Sequence, residues 1–119
     1  MSPDDLIRLR HMLEAAESAL TFVHGRKRSD LDSDAMLRYA LTYAVQIFGE
    51  AASKVSPAAR AEVPTIDWPA IVGMRNRLVH AYADVDRGIL WTTIVSDLPA
   101  LLEQLRAING INDIPGEED

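Results

Sequence analysis

From Leu6 to Val23 the apolar residues Leu6, Ile7, Leu9, Leu13, Ala16, Leu20 and Val23 fall mostly three or four positions apart, and the same rhythm returns in later segments. That spacing is the period of an α-helix with one buried face. No stretch alternates apolar and polar residues for long enough to make a half-buried strand. The chain is therefore expected to be all-α, an up-and-down bundle of four to five helices. With 119 residues, 48% hydrophobic and 25% charged, it has the size and composition of one domain. A core of this size is thin, so an apolar face left over for a second copy is expected, and with it a homodimer.

The helix boundaries follow from caps and breakers. Ser2, Pro3 and Asp5 start the first helix, and Gly25 stops it. Arg26 to Asp34 carries three bases and then three acids around a single apolar residue, Leu31, and reads as an exposed charged loop. A second helix runs from Ser33 or Asp34 to about Val55. It is apolar over more than half its circumference, as a helix covered on two sides would be. Pro57 to Val63 fits a short helix. Asp67 caps a third, with Ile71, Met74, Leu78 and Tyr82 along one face. Asp86 caps the last, which runs to Gly110 with a bend or a lost backbone bond at Pro99. The domain is expected to span residues 1–110, followed by a flexible acidic tail, 111–119.

Charge and composition narrow the functional classes. Eighteen acids against twelve Lys and Arg give a net charge of -6, which argues against holding nucleic acid by bulk electrostatics but leaves room for a local basic site. Four of the acids, Asp113, Glu117, Glu118 and Asp119, sit in the tail. With no cysteine there is no disulfide, thiolate nucleophile or sulfur-ligated zinc. No metal site or cofactor is expected. The uncharged stretch Tyr39 to Gly49 is too short for a membrane span, and Asp4 and Asp5 open the chain where a signal peptide would be basic, so a cytoplasmic location with no membrane partner is expected.

Polar groups concentrate in Met74-Arg75-Asn76-Arg77-Leu78-Val79-His80-Ala81-Tyr82. On a continuous helix Asn76 would share a face with His80, and Arg75 with Tyr82. A histidine exchanges protons near neutral pH, and a permanently charged guanidinium stabilises a phosphate or a transition-state anion. Those two groups suffice, without metal, for RNA cleavage by attack of a ribose 2′-hydroxyl on its own phosphate. The same residues equally suit a histidine paired with a helix dipole and arginines facing water.

Arg75, four residues, His80, one residue and Tyr82 match the R-x4-6-H-x-Y pattern of HEPN-domain toxins. Ile47-Phe48-Gly49-Glu50-Ala51-Ala52, Val55-Ser56, Pro64 to Pro69, Met74 to Tyr82, Val85-Asp86, Trp91 and Asp97-Leu98-Pro99 resemble the HepT-like toxin family over nearly the whole domain. The resemblance implies a dimeric HEPN bundle and a metal-independent endoribonuclease acting on tRNA or mRNA. It implies control by a minimal nucleotidyltransferase antitoxin in a type VII-like toxin-antitoxin system. It makes Arg75 and His80 catalytic, Asn76 their polar neighbour and Tyr82 the hydroxyl that receives AMP. The alternative is a non-catalytic helical module that binds a nucleotidyltransferase.

Glu50, a carboxylate within an apolar helix, either orients Arg75 or His80 or points outward. Arg77 is a candidate RNA contact. For Arg26, Lys27 and Arg28 an exposed loop is the simpler reading, with RNA phosphate contact as the alternative. Trp68 and Trp91 read as packing anchors, and His11 and His24 have no partner at useful spacing.

Overall fold

The protein is described by a computed structural model that covers residues 1–81 and 84–113, with backbone alone at residues 75, 79–81 and 84. Helix α1 spans Pro3–Val23, capped by the Ser2 hydroxyl, which accepts from the Asp5 amide at 3.1 Å. It closes at Gly25, whose φ of 73° lies in the left-handed region that a side chain would strain. Helix α3, Ala35–Ser53, is capped by Asp34, which accepts from the Leu37 amide at 3.0 Å. These two helices make the most extensive contact in the molecule. Ala15, Ala16 and Ala19 of α1 and Ala44, Ala51 and Ala52 of α3 are buried, and such small side chains let two backbones approach closely. Leu9, Met12, Leu41, Val45 and Phe48 fill the rest of that layer.

A third long element packs on α1. Helix α7, Arg87–Thr92, is capped by Asp86 and continues through a π turn, Thr93–Asp97, into α8, Leu98–Arg106. The amide of Leu98 reaches back five residues to the carbonyl of Thr93. The distortion expected at Pro99 thus takes the form of a wider turn just ahead of it. Proline has no N–H to give, and its ring would strike the carbonyl four residues earlier in a regular helix. Helix α4, Pro57–Glu62, starts at Ser56. Helices α5, Trp68–Val72, and α6, Met74–Leu78, lie against α3.

Three local expectations are corrected. The charged loop contains one helical turn, α2, Asp30–Ser33, because Leu31 is fully buried and draws its neighbours inward. Arg26, just ahead of that turn, is also not simply solvated: it pairs with Asp30 at 3.3 Å and Asp34 at 2.7 Å. The Lys27 amide and then Arg26 hold the Asp30 carboxyl below the ordinary range, and Arg26 and then the Leu37 amide do the same for Asp34. Second, the third helix does not run from Asp67 to Tyr82. It breaks at Gly73, and after Leu78 the backbone extends as β1, Val79–Ala81, paired antiparallel with β2, Asp84–Val85, through Val79 with Val85 and Ala81 with Asp84. This small ribbon leaves the class all-α. Third, Ile111, placed by the sequence pattern in the tail, is 2% exposed and belongs to the core.

One buried carboxylate ties the start of the chain to its middle. Asp5, 8% exposed, accepts from the Ser56 amide at 2.8 Å, the Ser56 hydroxyl at 2.7 Å and the Ser2 hydroxyl at 2.9 Å. The Ser56 amide bond, then its hydroxyl, hold the Asp5 carboxyl below its usual value of 3.8. A carboxyl depressed in the folded state stabilises the fold fully above its unfolded pKa, and this contribution fades as pH falls through the folded one. We expect Asp5→Ala to lower stability by about 2 kcal/mol at pH 7 in urea unfolding, with the gap narrowing progressively below pH 3.8.

Candidate active site

The segment that carries the polar motif is fixed at both ends. On its N-terminal side Asp67 caps α5 by accepting from the Ala70 amide, and Trp68, 6% exposed, donates its indole N–H to the Val63 carbonyl at 3.2 Å. The Arg60 guanidinium sits 5.6 Å from the centre of the Trp68 rings and donates to the Ala52 and Ser53 carbonyls at the end of α3. Trp68 is thus the packing anchor its sequence context suggests. The chain then passes Gly73, whose carbonyl accepts from the Asn76 and Arg77 amides at 3.1 and 3.3 Å. Met74, 4% exposed, and Leu78, fully buried, pin α6 to the core.

On the C-terminal side the Asp86 amide donates to the Leu78 carbonyl at 2.9 Å, and the Asp86 carboxylate accepts from the Ile89 amide at 2.9 Å. The residue that closes the ribbon is therefore the same one that begins α7. Arg75 and Asn76 lie on α6, and His80 lies in β1. The helical faces expected to group Asn76 with His80, and Arg75 with Tyr82, do not apply, because residues 79–81 are extended. Tyr82 lies outside the described residues.

Asn76 is exposed and lines a groove of about 470 Å³ with Gln46, Gly49, Glu50, Ser53 and Val72. The structure therefore brings Asn76 and Glu50 to one groove although they are far apart in sequence. The Glu50 side chain is 68% exposed, with the Lys54 ammonium at 3.9 Å, so it avoids the cost of burial by facing outward. Arg77, one residue after Asn76, lines a different cleft, together with Arg28, and donates to the Ala70 carbonyl at 3.0 Å near the end of α5. Among the described residues no three His, Asp or Glu side chains converge as a metal site would require.

The outer face of α3 leads toward the same groove. Met36, Tyr39 and Tyr43 are 83%, 62% and 65% exposed, and Phe22 of α1 is 42% exposed beside them. Tyr43, Phe22 and Ile47 line an apolar hollow of about 380 Å³ between α1 and α3 that also includes His11. Ile47 and His11 recur in the adjoining hollow with Glu50 and Lys54. Sequence reasoning had the wide apolar stripe of this helix, but not the position of Arg28 across from Arg77, since only the fold joins the α1–α2 turn to α6.

The fold is a helical bundle with the polar segment on α6 and β1, and comparison places this chain in a known family. The family described as Ribonuclease HepT-like matches residues 12–108. A Thermococcus cleftensis protein named "Probable ribonuclease HepT" is 33% identical over 101 residues, covering 82% of this chain and 92% of that protein. A Caldanaerobacter subterraneus protein, provisionally named an RNase, is 32% identical over 100 residues, 84% of this chain and 89% of the relative. A Methanocaldococcus jannaschii protein, also provisionally named an RNase, is 29% identical over 100 residues, 84% and 92% of the two chains. No solved structure matches. The chain belongs to the HepT-like ribonuclease family. Among the described residues no helix is long and apolar enough to cross a membrane.

Proposed function

We propose that the chain is the toxin of a type VII-like toxin-antitoxin pair, a metal-independent endoribonuclease that works as a homodimer. The observation that carries this reading is the coincidence of the family match, which spans residues 12–108, with an intact Arg75, His80 and Tyr82 pattern in the sequence, whose Asn76 lines a groove with Glu50. In this reading Arg75 holds the scissile phosphate and stabilises the extra negative charge of the pentacoordinate transition state. His80 takes the proton from the ribose 2′-hydroxyl as that oxygen bonds to phosphorus. The bond to the 5′ oxygen breaks, and an imidazolium of the second copy protonates the leaving oxygen. The products are a 2′,3′-cyclic phosphate and a free 5′-hydroxyl. Asn76 positions the two charged groups, and Glu50 supports them from the rim of the groove.

The apolar face of α3 supports the dimer. Met36, Tyr39 and Tyr43 form a contiguous exposed stripe of the kind that marks an interface, and it points along α3 toward Glu50. Expression of the wild-type chain should arrest growth of a host cell, whereas Arg75→Ala and His80→Ala should abolish both arrest and RNA cleavage. Loss of an acid-base group costs about two to four orders of magnitude in rate. Tyr43→Asp, about two turns before Glu50, should leave a folded monomer by light scattering and a comparably inactive protein. Cleavage that persists in His80→Ala, or that requires added divalent metal, would contradict the mechanism.

Control is assigned to Tyr82, two residues past His80. AMP on its hydroxyl would add an anion and bulk beside the catalytic pair, draw Arg75 away from substrate and block the RNA backbone. Co-expression with a cognate minimal nucleotidyltransferase should add one or more AMP groups to the intact mass, mapped to Tyr82. Tyr82→Phe should take none and should still arrest growth. Full neutralisation of Tyr82→Phe with no adduct would show that the antitoxin acts by binding alone.

A further inference from the structure

The cleft that holds Arg77 is separate from the Asn76 groove, and the two share no lining residue although Asn76 and Arg77 are adjacent on α6. Its volume of about 510 Å³ is that of a site for one small organic group. Arg28, from the turn between α1 and α2, faces the same cleft. Among the described residues neither arginine has a carboxylate partner, whereas Arg26, Arg87 and Arg106 are each held by an acid. The opposite wall is the π turn. There Thr93 and Asp97 face the cleft, and Asp97 supplies a carboxylate. Two arginines without a carboxylate partner among the described residues, with a hydroxyl and a carboxylate lining the same cleft, offer donors and acceptors to a polar ligand.

We propose that this cleft is a nucleotide subsite of the RNA substrate, taking one nucleotide that flanks the scissile linkage. The inference rests on the ribonuclease reading given above. The phosphate of that nucleotide lies between Arg28 and Arg77, and Asp97 accepts from a ribose hydroxyl or a base amine. Thr93 completes the hydrogen bonding. The mixed charge of the cleft favours such a group over a bare anion, because two carboxylates, Asp86 and Asp97, would repel an ion with no donors of its own. A strand running from this cleft to the Asn76 groove would cross α6, the helix that carries Arg75. Gly88 sets the shape of the near wall: a Cβ there would stand 2.6 Å from an Arg28 guanidinium nitrogen and would push that flexible side chain aside.

The test is fluorescence anisotropy of a labelled RNA oligonucleotide on the full chain carrying His80→Ala, so that the RNA stays intact, at several salt concentrations. Arg28→Ala and Arg77→Ala should each weaken binding about fivefold to tenfold and lower the salt slope by about one. Arg28→Lys should keep the slope, and Gly88→Ala should weaken binding with the slope unchanged, which separates lost charge from lost placement. Arg106→Ala, whose guanidinium Glu17 holds, should bind as the parent does. Parent-like RNA binding by the Arg28 and Arg77 variants would overturn the subsite and leave the ribonuclease reading standing. Binding of free AMP that depends on Arg28, with RNA affinity unchanged, would overturn it in favour of a mononucleotide site. A parent that binds no RNA at all would overturn the ribonuclease reading, and the subsite with it.

Discussion

The close packing of α1 on α3 is the contact on which the other parts of the molecule depend. Alanines buried on both helices bring the two backbones together. The larger side chains of Leu9, Met12, Leu41 and Phe48 close the layer around them. Helix α3 then serves three surfaces at once: α1 on one side, α5 and α6 on another, and an outer face that carries Met36, Tyr39 and Tyr43 into water. The motif segment is placed by α3, while its own short helices of five residues each would be unstable alone. The groove of Asn76 and Glu50 exists because α6 rests against α3 beside Glu50.

Local charge matters more than the total. A chain with net charge -6 repels a polyanion at long range, yet five of its arginines fall into two groups. Arg26, Arg87 and Arg106 are spent on Asp30 and Asp34, Asp32 and Glu17, and serve to fasten surface elements. Arg28 and Arg77 have no such acid among the described residues and face one cleft. The acidic surface thus coexists with a small cleft where two arginines have no carboxylate partner among the described residues.

Much of the fold was legible because its signals are local. Ser2, Asp34, Asp67 and Asp86 each cap the helix that the sequence pattern assigns to them, since a cap needs only a side chain within three residues of its amide. The Gly73 break, the pairing of β1 with β2 and the turn at Leu31 were not legible. Each depends on partners distant in the chain: burial of Leu31 and Leu78, and the Leu78 to Asp86 bond across the hairpin. Asp5 reads as a helix-start residue, and nothing near it in sequence announces Ser56. The candidate site was readable in sequence as a set of residue types around Arg75 and His80. The approach of Glu50 to Asn76, and of Arg28 to Arg77, comes only from the packing of α6.

The central claim is that this surface cleaves RNA through the ribose's own 2′-hydroxyl. The chemical nature of the new ends tests it most directly. Purified wild-type protein, incubated with RNA in excess chelator and analysed by mass spectrometry of the fragments, should leave 2′,3′-cyclic phosphates and 5′-hydroxyls. Fragments ending in 3′-hydroxyls and 5′-phosphates, formed only when divalent metal is restored, would contradict it.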